Sequence, residues 1–210
     1  NIRSWLFKIR ASAVHGKFQK IENRNWISGP IVENAPSHNQ LRWSPLPYPK
    51  EPTDFVSGVM TYAANGSAQA RTGAAALGYA INRSMENYFY NTDGELLFVP
   101  QEGNLTLATE MGTIDLKPTE IAVIPRGVKF QVRLIDDQAR GYICENYGHP
   151  FVIPDGGPIG ANSLANPRHF LTPKASFEEK EGKFELINKY LGNFWKAPID
   201  RSPLDVVGWY

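Results

Sequence analysis

Between residues 54 and 147 the apolar positions fall in short runs or at every second residue. The segments are "DFVSGVMTYA", "AAALGYAIN", "NYFYN", "ELLFVPQ", "NLTLATE", "GTIDLK", "EIAVIP", "VKFQVRLI" and "ARGYICENY", parted by Gly, Asn, Asp or Pro. A period of two with turn residues between runs predicts short strands, and many of them in succession predict a sandwich or jelly-roll barrel rather than βαβ units. Only "SFEEKEGKFELINKY" has helical periodicity, and Gly182 interrupts it. The expected fold class is all-β.

The flanks read differently. Residues 1–53 are irregular, with Trp5, Trp26 and Trp43 as anchors and "WSPLPYPKEP" as a Pro-rich extended connector. Such a segment cannot build a core alone and is expected to wrap around the strands of 54–147. Residues 148–210 begin with the Gly-, Pro- and Asn-rich stretch "HPFVIPDGGPIGANSLANPRHFLTP" and return to strand character in "KFELINKYLGNFWKAPIDRSPLDVVGWY". A loop of that length is usually functional or packed on a partner. Asn162 and Asn166 can bond their own backbone in tight turns, and Arg168 can pin the loop to a carbonyl or carboxylate. A chain without an initiator Met that stops on "VVGWY" reads as a piece of something longer. An apolar face around Trp195, Val206, Val207 and Trp209 is expected to be left open.

Composition narrows the function classes. The formal charge is +1, so no global field draws the chain to nucleic acid or membrane. Arg3, Lys8, Arg10, Lys17, Lys20 and Arg24 gather early, against Glu22 alone, and are read as a solvated or interface-facing segment. The 16 prolines and 18 glycines agree with many turns. The single cysteine, Cys144, cannot form an internal disulfide; it reads as a buried small hydrophobe in a reducing, cytoplasmic setting. No stretch has the apolar length of a membrane span.

The candidate chemistry lies in "MENYFYNTDGELLFVPQEG". A cupin-like barrel carries paired histidines two residues apart on such a strand, an acid shortly after, and a third histidine beyond a Pro-x-Gly turn. Here Glu95 stands at the acid's place, Gly103 near the hairpin glycine, and Ile124 to Gly127 ("IPRG") supply the turn. The paired histidines would fall at Tyr88 and Tyr90, or at Phe89 and Asn91 if the frame slips by one; the third would fall at Phe130. Aromatic side chains fill such a pocket rather than ligate a metal. Tyr88, Tyr90 and Phe130 are therefore expected to meet in the interior of a degenerate, metal-free barrel. His15, His38, His149 and His169 show no ligand spacing, and Asp93 with Glu95 and Asp136 with Asp137 read as turn residues. No catalytic or metal-binding residue is assigned, and the substrate-binding residues are unknown.

"FYNTDGELLFVPQEGNL", "IPRG", "RGYICENYG", "GPIGANSLANPRHF" and "SPLDVVGW", with "RSWLFKI" and "NQLRW" earlier, resemble the N-terminal region of the homogentisate dioxygenase family over nearly the whole chain. The resemblance implies a ring-cleaving dioxygenase that opens homogentisate with O2 to maleylacetoacetate in tyrosine and phenylalanine breakdown. It implies one non-haem Fe(II), held by two histidines and a glutamate in a C-terminal domain absent from this chain. Implied partners are that domain, further copies in trimers or hexamers, a small aromatic substrate and O2. The family continues from the "VVGW" strand into His-Gly-Asn-Tyr, whereas Tyr210 follows Trp209 here. This chain alone is expected to be inactive and to bind no iron. A stand-alone assembly module on a cupin-type barrel is the alternative from another class. A sugar isomerase is a weaker one, which "GPIGANSLANPR" counts against.

Overall fold

All nine expected runs form strands in the computed structural model, which describes residues 5–23, 25–31, 38–40, 42, 44–154 and 165–209. Numbered along the chain, two short strands come first: β1 (Trp5–Lys8) and β2 (Gln19–Ile21). The nine are β3 (Val59–Ser67), β4 (Thr72–Ile81), β5 (Tyr88–Asn91), β6 (Glu95–Glu102), β7 (Leu105–Thr109), β8 (Gly112–Leu116), β9 (Ala122–Ile124), β10 (Phe130–Leu134) and β11 (Ala139–Asn146). Three more follow: β12 (Glu181–Tyr190), β13 (Asn193–Arg201) and β14 (Val206–Trp209).

Two local readings change. Asp54 accepts the Ser57 N–H at 3.0 Å and caps a single helical turn, α1 (Phe55–Gly58), ahead of β3. That turn swings Phe55 into the interior. The helical spacing of "SFEEKEGKFELINKY" yields to strand: β12 forms a hairpin with β13 and buries residues on both of its faces, which removes the one-sided stripe a surface helix needs.

The ladders make two facing sheets rather than one closed barrel. One has the order β3-β4-β11-β6-β9, the other β2-β13-β12-β5-β10-β7-β8, and β1 pairs with β14 apart from both. Pairing is antiparallel except between β12 and β5, where Ile187 lies opposite Phe89 in parallel register. The fold is all-β and cupin-like, a jelly-roll sandwich. Strands from all three sequence segments share the larger sheet: β2 borders β13, and the β12–β13 hairpin lies between β2 and β5.

Between the sheets lies the main core, drawing Leu77, Tyr79, Phe98 and Ile143 from one side and Phe89, Leu105, Leu107, Phe130 and Phe194 from the other. A second cluster covers the outer face of the larger sheet. There Tyr88, Ala108, Leu186, Ile199 and Leu204 pack with Phe18, Tyr90 and Phe184. The early segment contributes Trp26 to the main core and Phe18 to the outer one.

Its basic residues are partly consumed in holding the wrap. Lys8 pairs with Glu110 at 3.0 Å and Asp205 at 2.9 Å, and Arg10 pairs with Glu181 at 2.7 Å. Arg3, Arg24 and Trp43 lie outside the described residues. No helix among the described residues is long and apolar enough to cross a membrane.

Candidate functional site

The strand that would carry paired ligands, β5, is buried on both faces, so its parity decides which side chains enter the interior. Phe89, Asn91 and Phe130 point inward; Tyr88 and Tyr90 point outward into the second cluster. This corrects the expectation that Tyr88 and Tyr90 fill the interior with Phe130. The frame slipped by one is the one realised. Phe89 lies directly opposite Phe130 across the β5–β10 ladder, their rings edge-to-face with centroids 5.6 Å apart. Tyr88 meets Phe184 edge-to-face at 5.4 Å, and the Tyr90 ring lies 5.3 Å below the Lys129 ammonium. Burial lowers the Lys129 pKa, partly offset by Glu110.

Phe55 closes the site from below. Its ring contacts those of Trp26, Tyr79, Phe89, Phe98 and Phe130 at centroid distances of 5.3 to 6.4 Å. A residue from a helical turn and one from the wrapping segment therefore occupy the space between the sheets.

Beyond Asn91 the interior is ionic. The Lys189 ammonium, 0% exposed, lies 2.9 Å from Asp93 Oδ2 and 2.6 Å from Glu145 Oε1. Asn91 donates to the same Glu145 oxygen at 2.7 Å, and Trp26 Nε1 donates to Glu145 Oε2 at 3.0 Å. Tyr147 O–H reaches that second oxygen at 3.4 Å. The backbone N–H groups of Leu191 and Gly192 donate to the two Asp93 oxygens at 2.6 and 2.8 Å. Every carboxylate oxygen of this buried group has at least one donor. That is the condition under which a buried ion cluster is tolerated.

The remaining sequence candidates have structural partners. Glu95, at the acid's place, accepts the Phe151 N–H at 2.6 Å, so it anchors the chain leaving β11. In the Pro-x-Gly turn, Arg126 donates to the Tyr147 carbonyl at 2.8 Å and the Gly127 N–H to the Asn91 carbonyl at 2.9 Å. Gly127 has φ +82 and Gly103 φ +78, both in the left-handed region that favours glycine. Asp136 accepts from Asn104 in an exposed turn, as its sequence setting suggested. Asp93 is a turn residue too, but a buried one, and its role in the ion group is not visible locally.

His15, His38, His149 and His169 stand apart: His15 packs on the Phe18 ring at 4.7 Å, and His149 and His169 are exposed. Among the described residues no group of three or more His, Cys, Asp or Glu could hold a metal ion. Cys144 is half-buried, not core, facing outward beside Ala76 and Leu97, and burial raises its thiol pKa. Asn166 does bond its own backbone, accepting the Arg168 N–H at 3.1 Å, while the Arg168 side chain is exposed. Asn162 lies outside the described residues.

The expected open face is not where the sequence placed it. Trp195, Val206 and Val207 are half-buried because β2 and β1 pair with their strands; the Trp209 side chain lies outside what is described. The large apolar residues most exposed among those described are instead Val152, Ile153 and Leu171, at 84%, 71% and 75% exposure.

Lys189 and Glu145 were not singled out from sequence, although a signal existed. Glu145 is in phase with the inward residues Ala139, Gly141 and Ile143, and Lys189 with Ile187. A charge on the buried parity of a strand needs a partner.

The described residues thus define a jelly-roll module whose interior presents aromatic rings and a buried ion group. The family model for the N-terminal region of homogentisate 1,2-dioxygenase matches residues 1–210, and the chain belongs to that family. Solved structures similar to parts of it include a cupin-2 domain protein from Shewanella frigidimarina, with 22% identity over 35% of this chain and 70% of that one, at a TM-score of 0.32. Another is an RmlC-like cupin family protein with a double-stranded β-helix fold from Methanocaldococcus jannaschii, with 14% identity over 52% and 94%, at 0.38. Both scores are low, and the fold assignment rests on the strand pairing above.

Proposed function

We propose that this chain is the scaffold half of a homogentisate 1,2-dioxygenase, the enzyme that opens the homogentisate ring with O2 to give maleylacetoacetate in tyrosine and phenylalanine catabolism. The observation that carries the reading is the family match over residues 1–210. Ferrous iron, which such an enzyme uses to hold substrate and oxygen, does not fit the residues here. Phe89, Asn91 and Phe130 offer no imidazole, and the nearby carboxylates of Asp93 and Glu145 are already engaged by Lys189. Three protein ligands that leave open positions are what this chemistry requires. In this reading they belong to a C-terminal domain outside this chain.

The role left to these residues is architectural. The exposed Val152, Ile153 and Leu171 support contacts with that domain or with further copies in a trimer or hexamer, in the cytoplasm. The purified 210-residue chain should bind no stoichiometric iron and consume no oxygen with homogentisate, whereas the full-length enzyme should do both. Metal analysis and an oxygen electrode decide it. Iron-dependent turnover by this chain alone would refute the assignment.

A further inference from the structure

The Lys189 ammonium bridges the two sheets. It projects from β12 of the larger sheet and meets Glu145 on β11 of the smaller one, at 2.6 Å, with Asp93 of the β5–β6 turn at 2.9 Å. Two of its N–H bonds are thereby directed at carboxylates. It also lies 5.9 Å from the centroid of the Trp26 ring and 5.6 Å from that of Tyr147. Two anionic acceptors beside two aromatic rings make a cage that recognises an ammonium group. The same rings and carboxylates are fixed by bonds that do not involve Lys189. Trp26 Nε1 and Asn91 hold Glu145, and the Leu191 and Gly192 N–H groups hold Asp93. The cage is therefore a site with its own framework, and the lysine is its occupant.

We propose that Asp93, Glu145, Trp26 and Tyr147 form an internal ammonium site, filled by the chain's own Lys189, whose charge ties the two sheets together. The site selects an ammonium that keeps at least two N–H bonds, because both short contacts need one each and a fully alkylated nitrogen has none. Emptied, it should accept a small alkylammonium from solution. The proposal is independent of where the dioxygenase binds its iron, so failure of either leaves the other standing.

Lys189→Ala removes three methylene carbons and the nitrogen, the outline of n-propylammonium. In the full chain this variant should lose roughly 10 °C or more of melting temperature, because two buried carboxylates are left without their counter-charge. n-Propylammonium chloride should recover a saturable part of the loss, while tetramethylammonium chloride and NaCl at equal ionic strength should not. The wild type should not distinguish the three salts, and Lys189→Ala/Glu145→Gln should lose the selective response. Rescue by none of the salts, or by all equally, overturns the proposal.

If Lys189→Ala does not fold in any salt, Lys189→Met decides, since it keeps the bulk and drops the charge. A melting temperature equal to wild type would show that the charge is dispensable and sink the idea; a loss of roughly 10 °C supports it. In the wild type, 15N NMR should show one lysine ammonium with exchange-protected protons at neutral pH, and its absence also refutes the assignment.

Discussion

Phe130→Ala tests the filled interior most directly. The Phe130 ring is 0% exposed and meets three others edge-to-face: Phe89 at 5.6 Å, Phe55 at 6.0 Å and Phe98 at 6.1 Å. Taking about 150 Å² of apolar surface at roughly 25 cal/mol per Å² gives about 4 kcal/mol for the lost transfer term. A compact unfolded reference trims that by ~10–40%. Against this, each lost ring pair adds about 0.5–1.5 kcal/mol.

The neighbours that would have to collapse into the void are themselves large rings braced by Trp26 and Tyr79, so little relaxation is expected. These terms total about 4–8 kcal/mol, and the lower part of that span, about 4–5 kcal/mol, meets the range of ~3–5 measured for such truncations. For a domain of this size it corresponds to a melting temperature lower by roughly 10–15 °C. Urea unfolding followed by Trp fluorescence reads the change as a shift in midpoint at constant slope. Val123→Ala, on an exposed position of β9, serves as control and should stay within about 1 kcal/mol. A Phe130→Ala loss below about 1.5 kcal/mol would show that the ring does not fill the space between the sheets. Phe130→His should create no metal site, because Phe89 and Asn91 face it in place of imidazoles.

Other outcomes can be checked with the same assays. Gly127→Ala should cost about 1–2 kcal/mol, since its φ of +82 strains an L side chain but the space beside it is open. Gly103→Ala should cost clearly more in the same urea titration, because its φ is also positive and a Cβ would stand 2.2 Å from the Gln138 carbonyl oxygen. The Glu102 carboxyl is held below the usual glutamate range, first by its hydrogen bond from Arg140 and then by that from Tyr48. A carboxyl whose folded value is depressed contributes stability above its unfolded value, roughly pH 4.3, and loses it as pH falls through the folded value. The melting-temperature gap between wild type and Glu102→Gln should therefore be constant near neutrality and close on acidification. A gap that widens in acid would contradict that pairing.

The strands of residues 54–147 were legible because each needs only its own alternation and the Gly, Pro or Asn beside it, which are local properties. The left-handed glycines at 103 and 127 were legible as turn positions for the same reason. The parity of β5 was not. Alternation reports a face only when the other face meets water, and "YFYN" is buried on both sides, between the main core and the cluster under Phe18 and Leu204.

That the early segment builds no core of its own is legible in its composition, whereas the insertion of Trp26 between the sheets and the addition of β2 to β13 are not. The buried ion group lay furthest from reach. Asp93 and Lys189 are 96 residues apart, and Trp26 and Glu145 are 119 apart. Each looks ordinary in its own stretch: a turn acid, a strand-end lysine, a loop tryptophan and a strand glutamate. Sequence could mark Glu145 and Lys189 as charges on buried parities. Only the parallel placement of β12 beside β5, which no local pattern encodes, brings the ammonium within reach of both carboxylates and makes burial of all three charges tolerable.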